Sequence, residues 1–200
     1  MHQSSHSTSL PFSASTYVCT TSYLPVCLFL LIKAFSLFQK KGFSNVKLII
    51  RGTGPLESFI SGLIDKYKVN NVKLETEYLS IEDLNRKLLS ADVFILPMQD
   101  SILSKTALPT KLFEYMSIGK PVIVCGKGEP KNFVESAKAG MVCIDRTPTG
   151  LAEIFEKFIN SENEWIEWGE NGQKFIQKYY SSDKIILKVN KMFNELIQKL

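Results

Sequence analysis

Thr110, Lys111 and Glu114 lie close together in the segment Leu108-Pro109-Thr110-Lys111-Leu112-Phe113-Glu114-Tyr115-Met116-Ser117-Ile118-Gly119-Lys120-Pro121-Val122-Ile123-Val124. The segment reads as a loop, a short helix opening at Thr110, a Gly-Lys-Pro turn and a buried strand. A helix opening leaves amide donors unpaired and carries the positive end of the helix dipole, so it favours an anion by about 0.3–1 kcal/mol. A charged hydrogen bond from a lysine adds about 1.5–3 kcal/mol. With a carboxylate one turn further in, which can accept from vicinal hydroxyls, the set suits a nucleoside diphosphate joined to a sugar. The same spacing also allows Thr110 to cap the helix and Lys111 to pair with Glu114 on the surface, for only a few tenths of a kcal/mol. Spacing alone leaves both readings open.

The elements that must position these residues follow from periodicity. Val46–Ile50 is a β-branched run followed by Gly52-Thr53-Gly54-Pro55 and a helix to about Tyr67. Val72–Leu74 predicts a strand, and Ile81–Leu89 a helix capped by Ser80, with Glu82 and Asp83 in its first turn. Asp92–Leu96 is an apolar strand closed by Pro97, leading to a polar loop, Met98–Leu108. That loop is longer than the roughly 2–6 residues usual in such units, which favours a functional role. A helix at Pro130–Lys138, a strand near Met141–Ile144 and three helical stretches complete the chain, while Leu30–Lys41 carries apolar residues at helical spacing. Wholly apolar strands separated by amphipathic helices predict a doubly wound, Rossmann-like α/β domain with a parallel sheet and a helical C-terminal extension. Ligands in such folds bind beyond the carboxyl ends of the strands. The loops after Ile50, Leu74, Leu96 and Val124 are therefore the ones to watch.

Composition limits the alternatives. An apolar content of 44% with 22% charged residues is that of an ordinary globular protein. A net charge of +4 with scattered lysines argues against a nucleic-acid surface and accommodates an anionic ligand or membrane face. His2 and His6 lie in a Ser/Thr-rich leader, which removes histidine chemistry from the folded part. Cys19, Cys27, Cys125 and Cys143 have no paired spacing, so neither zinc nor a disulfide framework is indicated and a reducing, cytoplasmic setting is expected. Residues 1–16 read as a disordered or altered leader and 17–200 as the domain. Tyr23–Phe38 is the most apolar stretch, yet Pro25 and Lys33 interrupt it. It reads as a core element rather than a membrane span, which needs about 20 apolar residues.

Asp92-Val93-Phe94-Ile95-Leu96-Pro97 followed by Pro109-Thr110-Lys111-Leu112-Phe113-Glu114-Tyr115-Met116-Ser117-Ile118-Gly119-Lys120-Pro121-Val122 resembles the C-terminal donor-binding domain of family 4 (group 1) retaining glycosyltransferases of GT-B fold. The resemblance runs from about Leu31 to Leu200. It includes Gly52-x-Gly54-Pro55, the Gly126-x-Gly128-Glu129 turn and Tyr179-Tyr180-Ser181. It is strongest to members with a Pro-Ser/Thr-Lys-x-x-Glu-Tyr-Met pattern, which build bacterial surface polysaccharides.

The resemblance implies retaining glycosyl transfer from a nucleotide-diphosphate sugar, with UDP-sugar the implied donor and a sugar or lipid-linked acceptor. It implies no cofactor and no bound metal. Glu114 matches the glutamate that binds the donor ribose, Gly52 and Gly54 the glycines beside the nucleotide, and Tyr78 to Ser80 the loop near the base. The first glutamate of the family's pair falls at Thr106, so donor-sugar contact passes to Ala107-Leu108-Pro109-Thr110. No residue is singled out as catalytic. Residues 17–25 contain no arginine or lysine where the family holds two cations for the diphosphate. The acceptor domain is expected from a separate chain or is missing. The competing expectations are a non-catalytic nucleotide-binding module or inactive fragment, and a protein tethered to a membrane through Tyr23–Phe38.

Overall fold

The structure, a computed structural model, describes residues 15–19 and 25–198. Most of the Ser/Thr-rich leader, both histidines and residues 20–24 of the cation-free segment lie outside the described residues.

Six strands form one parallel sheet: β1 (Ser15–Cys19), β2 (Lys47–Arg51), β3 (Val72–Glu75), β4 (Val93–Pro97), β5 (Val122–Cys125) and β6 (Gly140–Cys143), in the order β3-β2-β1-β4-β5-β6. Between them run α1 (Pro25–Lys40), α2 (Glu57–Tyr67), α3 (Ile81–Leu89), α4 (Ile102–Thr106), α5 (Thr110–Ser117) and α6 (Glu129–Ala137). After them come α7 (Pro148–Asn160), α8 (Trp165–Tyr180) and α9 (Ser182–Ile197). This is the doubly wound order, and its direction reverses between β1 and β4, the switch point at which such folds bind their ligands.

Alternation along the central strands sorts side chains to two cores. Leu48, Ile50, Val93, Ile95 and Ile123 face one, filled by Leu31, Phe35 and Phe38 of α1 and by Phe155 and Phe158 of α7. Ile49, Phe94, Leu96, Val122 and Val124 face the other, filled by Leu112, Tyr115 and Met116 of α5, Phe133 of α6 and Ile176 of α8. Every residue of β4 and β5 is buried, because helices cover both faces. The C-terminal extension thus divides: α7 and α8 complete the cores, whereas α9 contributes no buried residue.

Four expectations change. The first strand begins at Ser15, two residues ahead of the expected domain boundary. Helix α1 begins at Pro25 rather than Leu30, with proline in the first turn, where its missing amide costs nothing. Its apolar face, Cys27, Leu28, Leu31, Ile32 and Phe35 included, is buried against the sheet, which removes the membrane tether. No described helix is long and apolar enough to cross a membrane. The Met98–Leu108 loop contains α4, opened by a capping box in which Ser101 and Ser104 each accept the other's amide.

Candidate functional site

Helix α5 is seated by Tyr115, whose ring stacks on Phe94 of β4 with centroids 4.2 Å apart, and by buried Leu112 and Met116. These three positions define one face, so Glu114 falls on the opposite, outward one, with Lys111, 22% exposed, on the flank between them. Lys111 Nζ lies 2.9 Å from Glu114 Oε2. Side chains on a helix lean toward its N-terminus. This pair brings the Glu114 carboxylate, about half exposed, back toward the opening of α5.

The opening departs from expectation in one respect. Pro109 occupies the N-cap with no side-chain hydrogen bond, and Thr110 is the first helical residue, not the cap. Proline has no side-chain acceptor to offer, so no side chain caps the first amides of α5, although that of Leu112 donates to the Pro109 carbonyl at 3.0 Å. Leu108 and Pro109 are half-buried and Thr110 exposed. Thr106, where a second glutamate would stand, belongs to α4 and turns its hydroxyl onto the Ile102 carbonyl at 3.0 Å.

Gly52 and Gly54 follow β2 with φ of 154° and 152°. Side chains are disfavoured there, which explains the glycines. With Thr53 they border a hollow of about 30 Å³. On their other side opens a cleft of about 300 Å³ between the ends of β2 and β3, walled by Arg51, Gly52, Thr53, Glu75, Glu77, Tyr78 and Leu84 among others. Tyr78 stands fully exposed at its rim. The structure therefore gathers Gly52 and Tyr78 around one cleft, with Gly54 beside it. Leu108, Pro109, Thr110, Lys111 and Glu114 gather separately at the opening of α5.

A charged cluster in the cleft wall was not anticipated. Glu75, 4% exposed, receives Arg51 Nη1 at 3.3 Å, Lys73 Nζ at 2.9 Å and Lys87 Nζ at 2.6 Å. Arg51 Nη2 also donates to the Glu77 carbonyl at 2.6 Å, tying the segment before Tyr78 to β2. Burial pushes the Glu75 carboxyl up, but hydrogen bonds and charge from Lys73 and Lys87 outweigh it and hold its pKa down at about 2. The sequence signal was a charged residue ending each of two apolar strands, which the register places side by side as Arg51↔Glu75.

Beyond β4, Arg146 donates through Nη2 to the Met98 carbonyl and lies 3.9 Å from Asp100, which Lys105 holds at 2.6 Å. The Lys105 contact depresses the Asp100 pKa, helped by Arg146 and Lys127. Cys125 and Cys143, paired across β5 and β6, are buried and free. Their mutual hydrogen bond, with burial, pushes the Cys125 thiol up. Among the described residues no group of three or more His, Cys, Asp or Glu side chains could hold a metal ion.

The profile of the family described as glycosyl transferases group 1 matches residues 27–175, from the first turn of α1 into α8. The chain belongs to that family. It is 26% identical over 119 residues to the Salmonella typhimurium protein named for colanic acid biosynthesis as glycosyltransferase WcaL, covering 59% of this chain and 29% of that protein. Sucrose-phosphate synthase from Thermosynechococcus elongatus superposes with a TM-score of 0.77 at 18% identity, over 96% of this chain and 47% of its own. Anabaena HepE, solved in complex with UDP-glucose, gives 0.71 at 17% identity, over 92% and 49%. At such identities the two structures speak to the fold, which is that of the GT-B glycosyltransferases. The chain spans half or less of the length of each of these relatives.

Proposed function

We propose that this chain is the donor-binding part of a family 4 retaining glycosyltransferase. It takes a hexosyl group from a UDP-sugar for surface polysaccharide or glycoconjugate synthesis, and works in the cytoplasm, peripherally at the inner membrane face. The observation that carries this reading is the group 1 family match over a fold whose carboxyl edge presents the uncapped α5 opening beside the Lys111–Glu114 pair. The name of WcaL and the UDP-glucose held by HepE favour this donor class and this process.

In this assignment the ribose hydroxyls bind Glu114, which exchanges Lys111 for them. Lys111 and the first amides of α5 then take the diphosphate. The base enters the cleft bordered by Gly52 and Tyr78, with Gly54 at its edge, and the donor sugar meets the stretch Leu108-Pro109-Thr110. Fixed donors aimed at the diphosphate stabilise the charge that grows as the glycosyl bond breaks. No metal or cofactor takes part. The sugar or lipid-linked acceptor is presented by a further domain, in this polypeptide or another.

Calorimetry with UDP tests the assignment. Glu114→Ala removes hydrogen bonds to a charged group worth about 1.5–3 kcal/mol, so UDP affinity should fall about 10- to 150-fold. The exposed side chain makes only a surface pair, so thermal stability should hardly move. Undiminished UDP binding by the variant would remove Glu114 from the ribose. The turn of Thr106 onto Ile102 supports one rival, a binding module without turnover. Sugar transfer from UDP-glucose after addition of candidate acceptor domains would reject it.

A further inference from the structure

A diphosphate carries at least two negative charges, and Lys111, once released by Glu114, brings a single positive charge to the α5 opening. Residues 17–25 offer no arginine or lysine. Positive charge reaches the same edge from elsewhere. Arg146 leaves the chain after β6, yet its guanidinium spans to the end of β4, where Nη2 holds the Met98 carbonyl. Its field also acts on Cys27 in the first turn of α1 and on Cys125 and Cys143 at the ends of β5 and β6. A side chain rooted beyond the last strand thus places its charge at the carboxyl end of β4, next to the point where the strand order reverses.

This guanidinium is incompletely used. Its Nε is buried and has no hydrogen-bond partner among the described residues. Nη1 reaches Asp100 only at 3.9 Å, and that carboxylate is 55% exposed. Lys105 from α4 holds the same acid at 2.6 Å, and Lys127 in the turn after β5 stands near enough for its charge to act on it. They meet because α4 rests directly on that turn, the Lys105 carbonyl lying 2.1 Å from where a Cβ on Gly128 would stand. Three cations thus face Asp100, with Asp145 and Glu129 the nearest further acids along the chain.

We propose that Arg146, with Lys105 and Lys127, forms a diphosphate-binding set at the carboxyl edge. Asp100 serves as the internal anion that the donor phosphates displace. The proposal rests on reading the chain as a nucleotide-sugar-binding domain.

Calorimetry of the full chain with UDP, uridine and inorganic pyrophosphate, alongside thermal melts, tests it. Arg146→Met should weaken UDP and pyrophosphate about 10- to 100-fold and leave uridine unchanged, while Arg146→Lys recovers part of the loss. Asp100→Asn should tighten pyrophosphate several-fold and steepen its salt dependence. Pyrophosphate affinity unmoved by both Arg146→Met and Asp100→Asn would overturn the proposal. So would an equal loss of UDP and uridine with a lowered melting temperature, the mark of a purely structural arginine. Pyrophosphate binding that depends on Arg146, in a chain that ignores UDP, would keep the cation set and refute the donor assignment instead.

Discussion

Glu75 shows how a single carboxylate can be both buried and ionised. Three cations from β2, β3 and α3 converge on it, and the hydrogen bonds and charge of two of them, Lys73 and Lys87, outweigh the loss of water. Its pKa is about 2 in the folded chain against an ordinary 4.5. The stabilisation is therefore complete above pH 4.5 and lost as pH falls from there toward 2. Its size is on the order of 3 kcal/mol. Glu75→Gln should lower the urea midpoint sharply at pH 7, and the gap from the wild type should close below pH 4.5. A gap of constant size across that range would mean that the charge of Glu75 is not what stabilises the fold. This residue was visible in the sequence only as one acid among many, because its partners come from three separate elements. Glu114 was easier to place, since the burial of Leu112, Tyr115 and Met116 follows from helical spacing alone. Arg146 was invisible, as nothing local in Ile144-Asp145-Arg146-Thr147 says that its head reaches two strands away.

At the scale of elements, apolar runs at β4 and β5 and the Ser80 cap of α3 were legible because each signal is local: continuous burial in two strands, and a serine accepting the Asp83 amide. Helix α4 escaped because five residues make barely more than one turn, and Ile102 and Leu103 both face solvent, so no periodicity marks it. What holds α4 in place is its capping box and its seat on the turn after β5. Gly128 has φ 78° and no room for a side chain against the Lys105 carbonyl. Gly128→Ala must therefore push α4 off that turn, at a cost of about 1–3 kcal/mol. Limited proteolysis should then cut within residues 101–107 several-fold faster than in the wild type. Unchanged cleavage and an unchanged melt would show that α4 sits there without needing the glycine.

The whole molecule is two cores on one sheet with a last helix standing apart. Ile185, Ile186, Val189, Met192, Phe193 and Leu196 recur along one face of α9 and remain exposed. Deleting residues 182–200 should leave the cooperative melt within about 2 °C of the full chain, since no buried side chain is lost. A collapse of the transition would show that α9 belongs to the folding unit. The parallel, doubly wound architecture was readable from the alternation of strands and helices, and the family profile covers most of it. The division of the C-terminal helices between core and surface was not, because α7, α8 and α9 are all amphipathic and only packing distinguishes them.

The Arg51 guanidinium joins the last residue of one strand to the main chain leading to Tyr78. The slot beneath that tyrosine is consequently braced before any guest arrives, and its walls lose little further freedom on occupation. If the base enters this cleft as proposed, discrimination between one-ring and two-ring bases becomes a question of fit into a stiff frame, and a looser frame should show itself first as relaxed choice among nucleotides.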